Sequence, residues 1–137
     1  MSRFRSDAGA AAVEFAFVLV PLLLILMGVI DFGQIYNEKL ALTAAAREGA
    51  RVMAIPKSDG SAATSAAGTA RVITVAAQQG VTLTPAQISI PTTCPSVQSP
   101  PPTVTVTITY PLSSVTGMFD TLLQGNRTVS GVMQCGG

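Results

Sequence analysis

An apolar run near the N-terminus constrains this chain more than any other feature. From Ala10 to Ile30 it reads AAAVEFAFVLVPLLLILMGVI, and its only charged residue is Glu14. A helix of this length rises about 30 Å, which matches the hydrocarbon core of a bilayer. The remainder of the 137-residue chain is too small to bury a helix that is apolar on every side. The run therefore predicts one membrane-spanning helix.

The charges that flank the apolar run predict its orientation. Arg3 and Arg5 precede it and Asp31 follows it, so the positive-inside rule places the N-terminus in the cytoplasm and the remainder outside. A removable secretory signal is the alternative, but no small-x-small site follows Ile30 directly. The first such triplet lies about 14 residues further on, in Leu42–Ala46. The segment is therefore expected to stay on the protein as a single-pass anchor in a bacterial cell membrane.

Composition argues against several classes of function. Charged residues make up 11% of the chain and the net charge is +1, so no nucleic-acid partner is expected. The chain has no His and two cysteines, too few ligands for a zinc site. We therefore expect no enzyme activity, no metal, no cofactor and no small-molecule substrate. A membrane hydrolase or redox protein would require Cys94 or Cys135 to be a reactive free thiol.

Glu14 lies within a sequence motif that is more specific than the anchor alone. A carboxylate inside an apolar helix is costly, so it points to a function. The sequence from Gly9 to Phe15, GAAAVEF, resembles the processing site of type IV prepilin-like proteins. The chain continues with GVIDFG at residues 28–33 and AAAREGAR at residues 44–51. In this order and spacing, the three pieces are similar to TadE-like pseudopilins of tight-adherence (Tad) pilus systems, over about the first 53 residues.

The resemblance implies a structural subunit with defined partners. A prepilin peptidase would cut between Gly9 and Ala10, which leaves Glu14 at the fifth mature position. The Glu14 carboxylate would then pair with the new ammonium of a neighbouring subunit and set the axial register. The implied partners are the membrane, the prepilin peptidase and other pilin-like subunits, and the implied role is a minor pilin-like subunit. The sequence leaves open whether the pilus system serves cell adhesion, DNA uptake or secretion. The alternative is an uncleaved single-pass protein whose outer domain binds a partner or acts as a scaffold.

The membrane helix is predicted to continue outward. Pro21 removes a backbone hydrogen bond within the run and predicts a break or kink there. Residues 31–55 contain no Pro and carry apolar side chains at helical spacing: Phe32, Ile35, Tyr36, Leu42, Ala46, Ala50 and Met53. Pro56 is expected to end the helix. On this part, Arg47, Glu48 and Arg51 are either a subunit contact or a solvated helix face.

The remaining residues predict a small outer domain. After a loop over 57–68, a second helix is expected from about Ala62 or Thr69 to Gln79. Strands are predicted at 87–90, 103–110 and 128–135, and the alternation of Val and Ile with Thr in the second is the clearest. The predicted class is α+β: a long membrane-spanning helix, a second helix and an antiparallel sheet of two or three strands.

The two cysteines are predicted to stabilise that domain. Outside the cytoplasm, Cys94 and Cys135 can form a disulfide worth about 4 kcal/mol on the loop-entropy model. Two unpaired thiols are the alternative. The predicted organisation is a cytoplasmic leader at 1–9, a transmembrane helix at 10–30, its extension at 31–55 and an outer domain at 56–137.

Overall fold

The computed structural model describes residues 7–55, 63–91, 94, 101–111, 117 and 125–136. Two helices and three strands follow one another along the chain, with a 3-10 turn at Pro85–Gln87. Helix α1 is Asp7–Ala54, helix α2 is Ser65–Gln78, strand β1 is Ile88–Ser89, strand β2 is Thr103–Pro111 and strand β3 is Asn126–Gln134. This arrangement confirms the predicted α+β class.

Helix α1 is a single rod that combines the predicted anchor with its predicted extension. Its 48 residues rise about 72 Å at the usual 1.5 Å per residue. The helix begins at Asp7, inside the segment predicted as a leader, and ends at Ala54, next to the predicted end. It runs through Pro21 without a gap in helical structure, and a bend at that residue stays a prediction. Arg3, Arg5 and Pro56 lie outside the described residues.

Helix α2 starts between the two predicted positions because Thr64 caps it. The Thr64 side chain accepts a hydrogen bond from the backbone N–H of Ala67 at 3.4 Å. Gly80 follows the helix with a φ of 79°, a conformation that glycine adopts without strain. Val72 and Ala76 are fully buried against the rest of the core. Residues 65–68, predicted as loop, therefore form the first turn of α2, and residues 56–62 are not described.

The three strands form one antiparallel sheet in the order β1–β2–β3. In β2, Val104, Val106 and Ile108 are fully buried, while the intervening threonines are half-buried or exposed. This confirms the predicted alternation. Strand β1 is shorter than predicted because the 3-10 turn extends to Gln87, so only Ile88 and Ser89 pair with β2.

The sheet packs along the C-terminal part of α1. Two hydrogen bonds, one at each end of the sheet, connect it to this helix. At one end of the sheet the Tyr110 hydroxyl donates to Glu38 Oε2 at 3.0 Å. At the other end the Gly136 N–H donates to the carbonyl of Ala54 at 3.1 Å. Between them Gly131 lies so close to the backbone of Ala46 that an added Cβ would overlap it. The end of the sheet that carries Pro111 and Asn126 therefore faces the apolar part of α1.

A disulfide joins Cys94 to Cys135 with their Cα atoms 5.5 Å apart. Both residues are buried, and the Cys135 N–H donates to the carbonyl of Pro102 at 2.8 Å. The disulfide fixes the chain between β1 and β2 to the end of β3, next to the last turn of α1. It also leaves no free thiol in the chain, which has only these two cysteines.

Candidate functional site

The N-terminal part of α1 presents a large apolar surface with no partner among the described residues. We call residues 9–30 the membrane half of α1. Every residue in it is exposed except Leu19 and Gly28, which are half-buried. Apart from Leu19, its larger apolar residues are 41–78% exposed, with Met27 the least and Phe17 the most. By length and composition, α1 is the one described helix that could cross a membrane. The described residues therefore leave this apolar surface open.

The predicted processing site lies in the first described turn of α1. Gly9 and Ala10 are the third and fourth residues of the described helix, which starts at Asp7. A Cβ on Gly9 would meet nothing within 4 Å, so no packing contact among the described residues requires a glycine at this position.

Glu14 is the only charged residue of the membrane half and is exposed. It lies four residues after Ala10, and residues at this spacing are neighbours on one helix face. Glu14 forms no hydrogen bond or ion pair with another described residue. A carboxylate in this position is therefore available to a partner outside the described chain.

The three residues Arg47, Glu48 and Arg51, predicted as a subunit contact or a solvated helix face, have different surroundings in the structure. Glu48 Oε1 accepts a hydrogen bond from Arg71 Nη2 at 2.8 Å, which links α1 to α2. Its other oxygen lies 3.8 Å from Arg51 Nη1. Arg47 and Arg51 are exposed. Glu48 is thus engaged inside the domain, and the two arginines stay candidates for a subunit contact.

Three polar contacts were not predicted from the sequence. Arg71 donates a hydrogen bond to Glu48, 23 residues earlier in the sequence, and Tyr110 donates one to Glu38, 72 residues earlier. Asp31, which the sequence suggested only as a charge beyond the membrane, is 2% exposed and has an interaction partner. No periodic pattern marks such long-range pairs, because the fold alone brings the two side chains together. A carboxylate at the end of an apolar run was the only signal at Asp31.

A groove lies between α1 and the adjoining end of the sheet. Phe32, Tyr36 and Lys39 line it from α1, and Tyr110 and Arg127 line it from β2 and β3. Its volume is about 270 Å³. Burial and the hydrogen bond from Tyr110 to the Glu38 carboxylate raise the pKa of Tyr110 to about 12, and the negative charge of Glu38 adds to the effect. The Tyr110 phenol therefore stays neutral and keeps donating to Glu38 near pH 7. We call this the aromatic groove.

A comparison with known protein families finds a match in the N-terminal helix of the chain. Residues 9–51 match the model of the TadE-like protein family. The match begins at Gly9 and ends within α1, so it covers the membrane half and most of the extension but neither α2 nor the sheet. Searches of curated proteins and of solved structures found no match.

The TadE-like match confirms the resemblance that the motifs indicated. It indicates a pilin-like protein associated with a Tad pilus, and the family is one of structural pilus components and not of enzymes. The apolar helix fits a membrane anchor, in keeping with that family. Gly9, Ala10, Glu14, Arg47 and Arg51 all lie in the TadE-like segment, on one rod, although the two ends of that segment are far apart.

Proposed function

We propose that this protein is a minor pilin-like structural subunit of a Tad-type pilus assembly. The observation that carries the proposal is the division of α1 into two parts: an apolar part that no other described residues cover, and a part that contributes to the core of a folded domain. The match to the TadE-like family supports it. In this proposal residues 1–9 lie in the cytoplasm, residues 10–30 cross the membrane and the domain lies outside.

We further propose that a prepilin peptidase cuts the bond between Gly9 and Ala10. Gly9 has open space around it, so no contact among the described residues obstructs an approaching enzyme. The resemblance of the sequence around Gly9 to a prepilin processing site, within the TadE-like match, supports the proposal. Small residues follow at positions 10–12 and leave the backbone accessible.

Glu14 is proposed to set the register between subunits. Cleavage would place an ammonium on Ala10, four residues from the Glu14 carboxylate. Charges in apolar surroundings require partners, so a helix that packs beside a second helix gains most when ammonium and carboxylate of the two chains meet. The two groups meet at one axial offset between the neighbouring helices, so their pairing would fix the register. The function is therefore packing and alignment, without turnover.

The experiment that tests the proposal compares two glycines of α1. The full chain is expressed in its native host as wild type, as Gly9→Leu and as Gly33→Leu, and its mass is measured in the membrane fraction. Gly33 is the matched control because it also lies in α1 and a Cβ there would meet nothing within 4 Å. Wild type and Gly33→Leu are expected to lose residues 1–9, and Gly9→Leu to keep them. A shortened Gly9→Leu chain would rule out this processing site.

A second pair of variants tests Glu14 separately from cleavage. Glu14→Gln removes the charge and Glu14→Asp keeps it, with little change in size. We expect both to be processed, but only Glu14→Asp to crosslink to other pilin-like subunits at near wild-type yield. Equal crosslinking of Glu14→Gln and wild type would show that the charge does not set the register.

A further inference from the structure

The aromatic groove lies at the height of the membrane surface. Phe32 follows the last residue of the apolar run, Ile30, by two positions, and Tyr36 by six. At 1.5 Å per residue these positions lie roughly 3 Å and 9 Å beyond the hydrocarbon edge. The headgroup layer is about 5–8 Å deep. The wall of the groove that α1 provides therefore starts within the headgroups and continues just above them.

The side chains of the groove suit this layer. Phe32 and Tyr36 lie one turn apart on α1 and are 72% and 56% exposed, although the rest of the predicted apolar face packs against the domain. Aromatic rings with exposed edges are enriched at the level of lipid headgroups. Side chains on a helix lean toward its N-terminus, so those of Tyr36 and Lys39 lean toward the membrane.

The charges of the groove favour an anion. Lys39 and Arg127 are exposed and line it from opposite sides, one on α1 and one on β3. Among the described residues that line the groove, Glu38 is the only carboxylate, and the Tyr110 hydroxyl donates to one of its oxygens. An ammonium and a guanidinium that face each other across a groove are suited to a phosphate, which Arg can bind with two parallel hydrogen bonds.

We propose that the aromatic groove binds the phosphate headgroup of an anionic phospholipid in the leaflet next to the domain. The apolar surface of the membrane half continues into the groove at Phe32, so a lipid beside α1 already has its headgroup at this height. A bound lipid would hold the end of the sheet against the membrane and fix the tilt of the domain. The proposal rests on the membrane insertion within the proposed function and is independent of cleavage after Gly9.

The chain provides its own fluorescent probes for this site. It has no Trp and only two Tyr, Tyr36 and Tyr110, and both line the groove. The full chain is placed in nanodiscs at one copy per disc, and tyrosine emission is measured with and without lipids that carry a nitroxide quencher on the headgroup. Quenching is expected in discs that hold a single chain. Unchanged emission there would overturn the proposal, because with one chain per disc no second copy can fill the groove in place of lipid.

Binding of the anionic headgroup is tested on the same discs. The discs contain zwitterionic phosphatidylcholine with increasing phosphatidylglycerol, and native mass spectrometry counts the lipids that stay on the released chain. Lys39→Gln and Arg127→Gln are each expected to weaken retention of phosphatidylglycerol about fivefold, the usual effect of one cation near a lipid surface. Arg47→Gln is the control, an exposed cation on α1 that lies about 25 Å beyond Ile30.

The two possible sources of phosphate are separated by competition. Soluble glycerol phosphate at the same concentration is expected to leave retention unchanged, because it lacks the acyl chains that hold the headgroup at this height. If glycerol phosphate displaces the lipid, the groove binds a free phosphate anion and the proposal of a lipid ligand is overturned. Equal retention by wild type and by the Lys39→Gln, Arg127→Gln double variant would overturn the proposal.

Discussion

The two parts of α1 differ in what surrounds them. The membrane half carries the large side chains, Leu, Ile, Val and Phe, and leaves them exposed. The C-terminal part buries small ones, with Ala45, Ala46 and Ala50 at 0% exposure. Small residues let the sheet approach the helix backbone closely, whereas large ones offer surface to lipid or to neighbouring helices. One continuous helix thus joins a part that stabilises the domain to an apolar part that the described residues leave uncovered.

The largest expected effect lies at the disulfide, which belongs to the domain alone. Replacing both Cys94 and Cys135 with Ser should lower the free energy of unfolding of the domain by about 4 kcal/mol. That is a large share of the 5–15 kcal/mol typical of a whole domain. Circular dichroism of the full chain in detergent during urea unfolding measures it, and wild type treated with reductant is the matched comparison. We expect the helical signal of the membrane half to persist after the domain unfolds.

A matched pair of isoleucines tests whether the membrane half of α1 contributes to the stability of the domain. Ile108 is fully buried in β2, whereas Ile25 in the membrane half is 66% exposed. Ile108→Ala should lower the unfolding free energy by about 3 kcal/mol, because the deletion leaves a cavity. Ile25→Ala should change it by less than about 0.5 kcal/mol. Similar losses in the same urea titration would mean that the two parts unfold as one unit.

A glycine pair sharpens the contrast in packing distance. A Cβ on Gly131 would overlap the backbone of Ala46, whereas one on Gly33 would meet nothing within 4 Å. Backbone cannot move aside as a flexible side chain can, so Gly131→Ala should destabilise the domain by about 2 kcal/mol. Gly33→Ala should be neutral or slightly stabilising, since Ala favours a helix. Wild-type stability in Gly131→Ala would show that the sheet does not lie this close to α1.

The smallest expected effect concerns the end of the sheet nearest the membrane half of α1, and it depends on pH. The pKa of Tyr110 is raised to about 12 in the folded chain, so the fold favours the neutral phenol. Its contribution to stability is complete below about pH 10 and is lost as the pH rises from 10 to 12. The unfolding midpoint of wild type should therefore fall more between pH 8 and pH 11 than that of Tyr110→Phe. Tyr36→Phe is the control and should follow wild type.

Much of this fold could be predicted because its signals are local. The apolar run predicted α1, and the alternation of Val and Ile with Thr predicted β2 almost to its ends. The start of α2 depended on the cap at Thr64, a local signal that the prediction did not use. The side-chain hydrogen bonds between Arg71 and Glu48 and between Tyr110 and Glu38 could not be predicted, because they join residues that only the fold brings together.

The candidate site was predictable in a different sense. Gly9 and Glu14 stood out because a carboxylate inside an apolar helix is costly and because the two residues belong to one motif. Among the described residues, nothing lies within 4 Å of a Cβ placed on Gly9, and Glu14 has no hydrogen-bond or ion-pair partner. Phe32 and Tyr36 belong to the helical spacing that predicted the extension of α1, and both lie on that helix. The spacing did not predict that they would be exposed at 72% and 56%, because that depends on where the sheet ends.

The most direct test of the central claim is the N-terminal sequence and intact mass of the protein purified from membranes of its native host. The account predicts a chain that begins at Ala10 and carries the disulfide between Cys94 and Cys135. A chain that begins at Met1 or Ser2 would contradict it, because the ammonium that Glu14 is proposed to pair with would then be absent from the apolar helix.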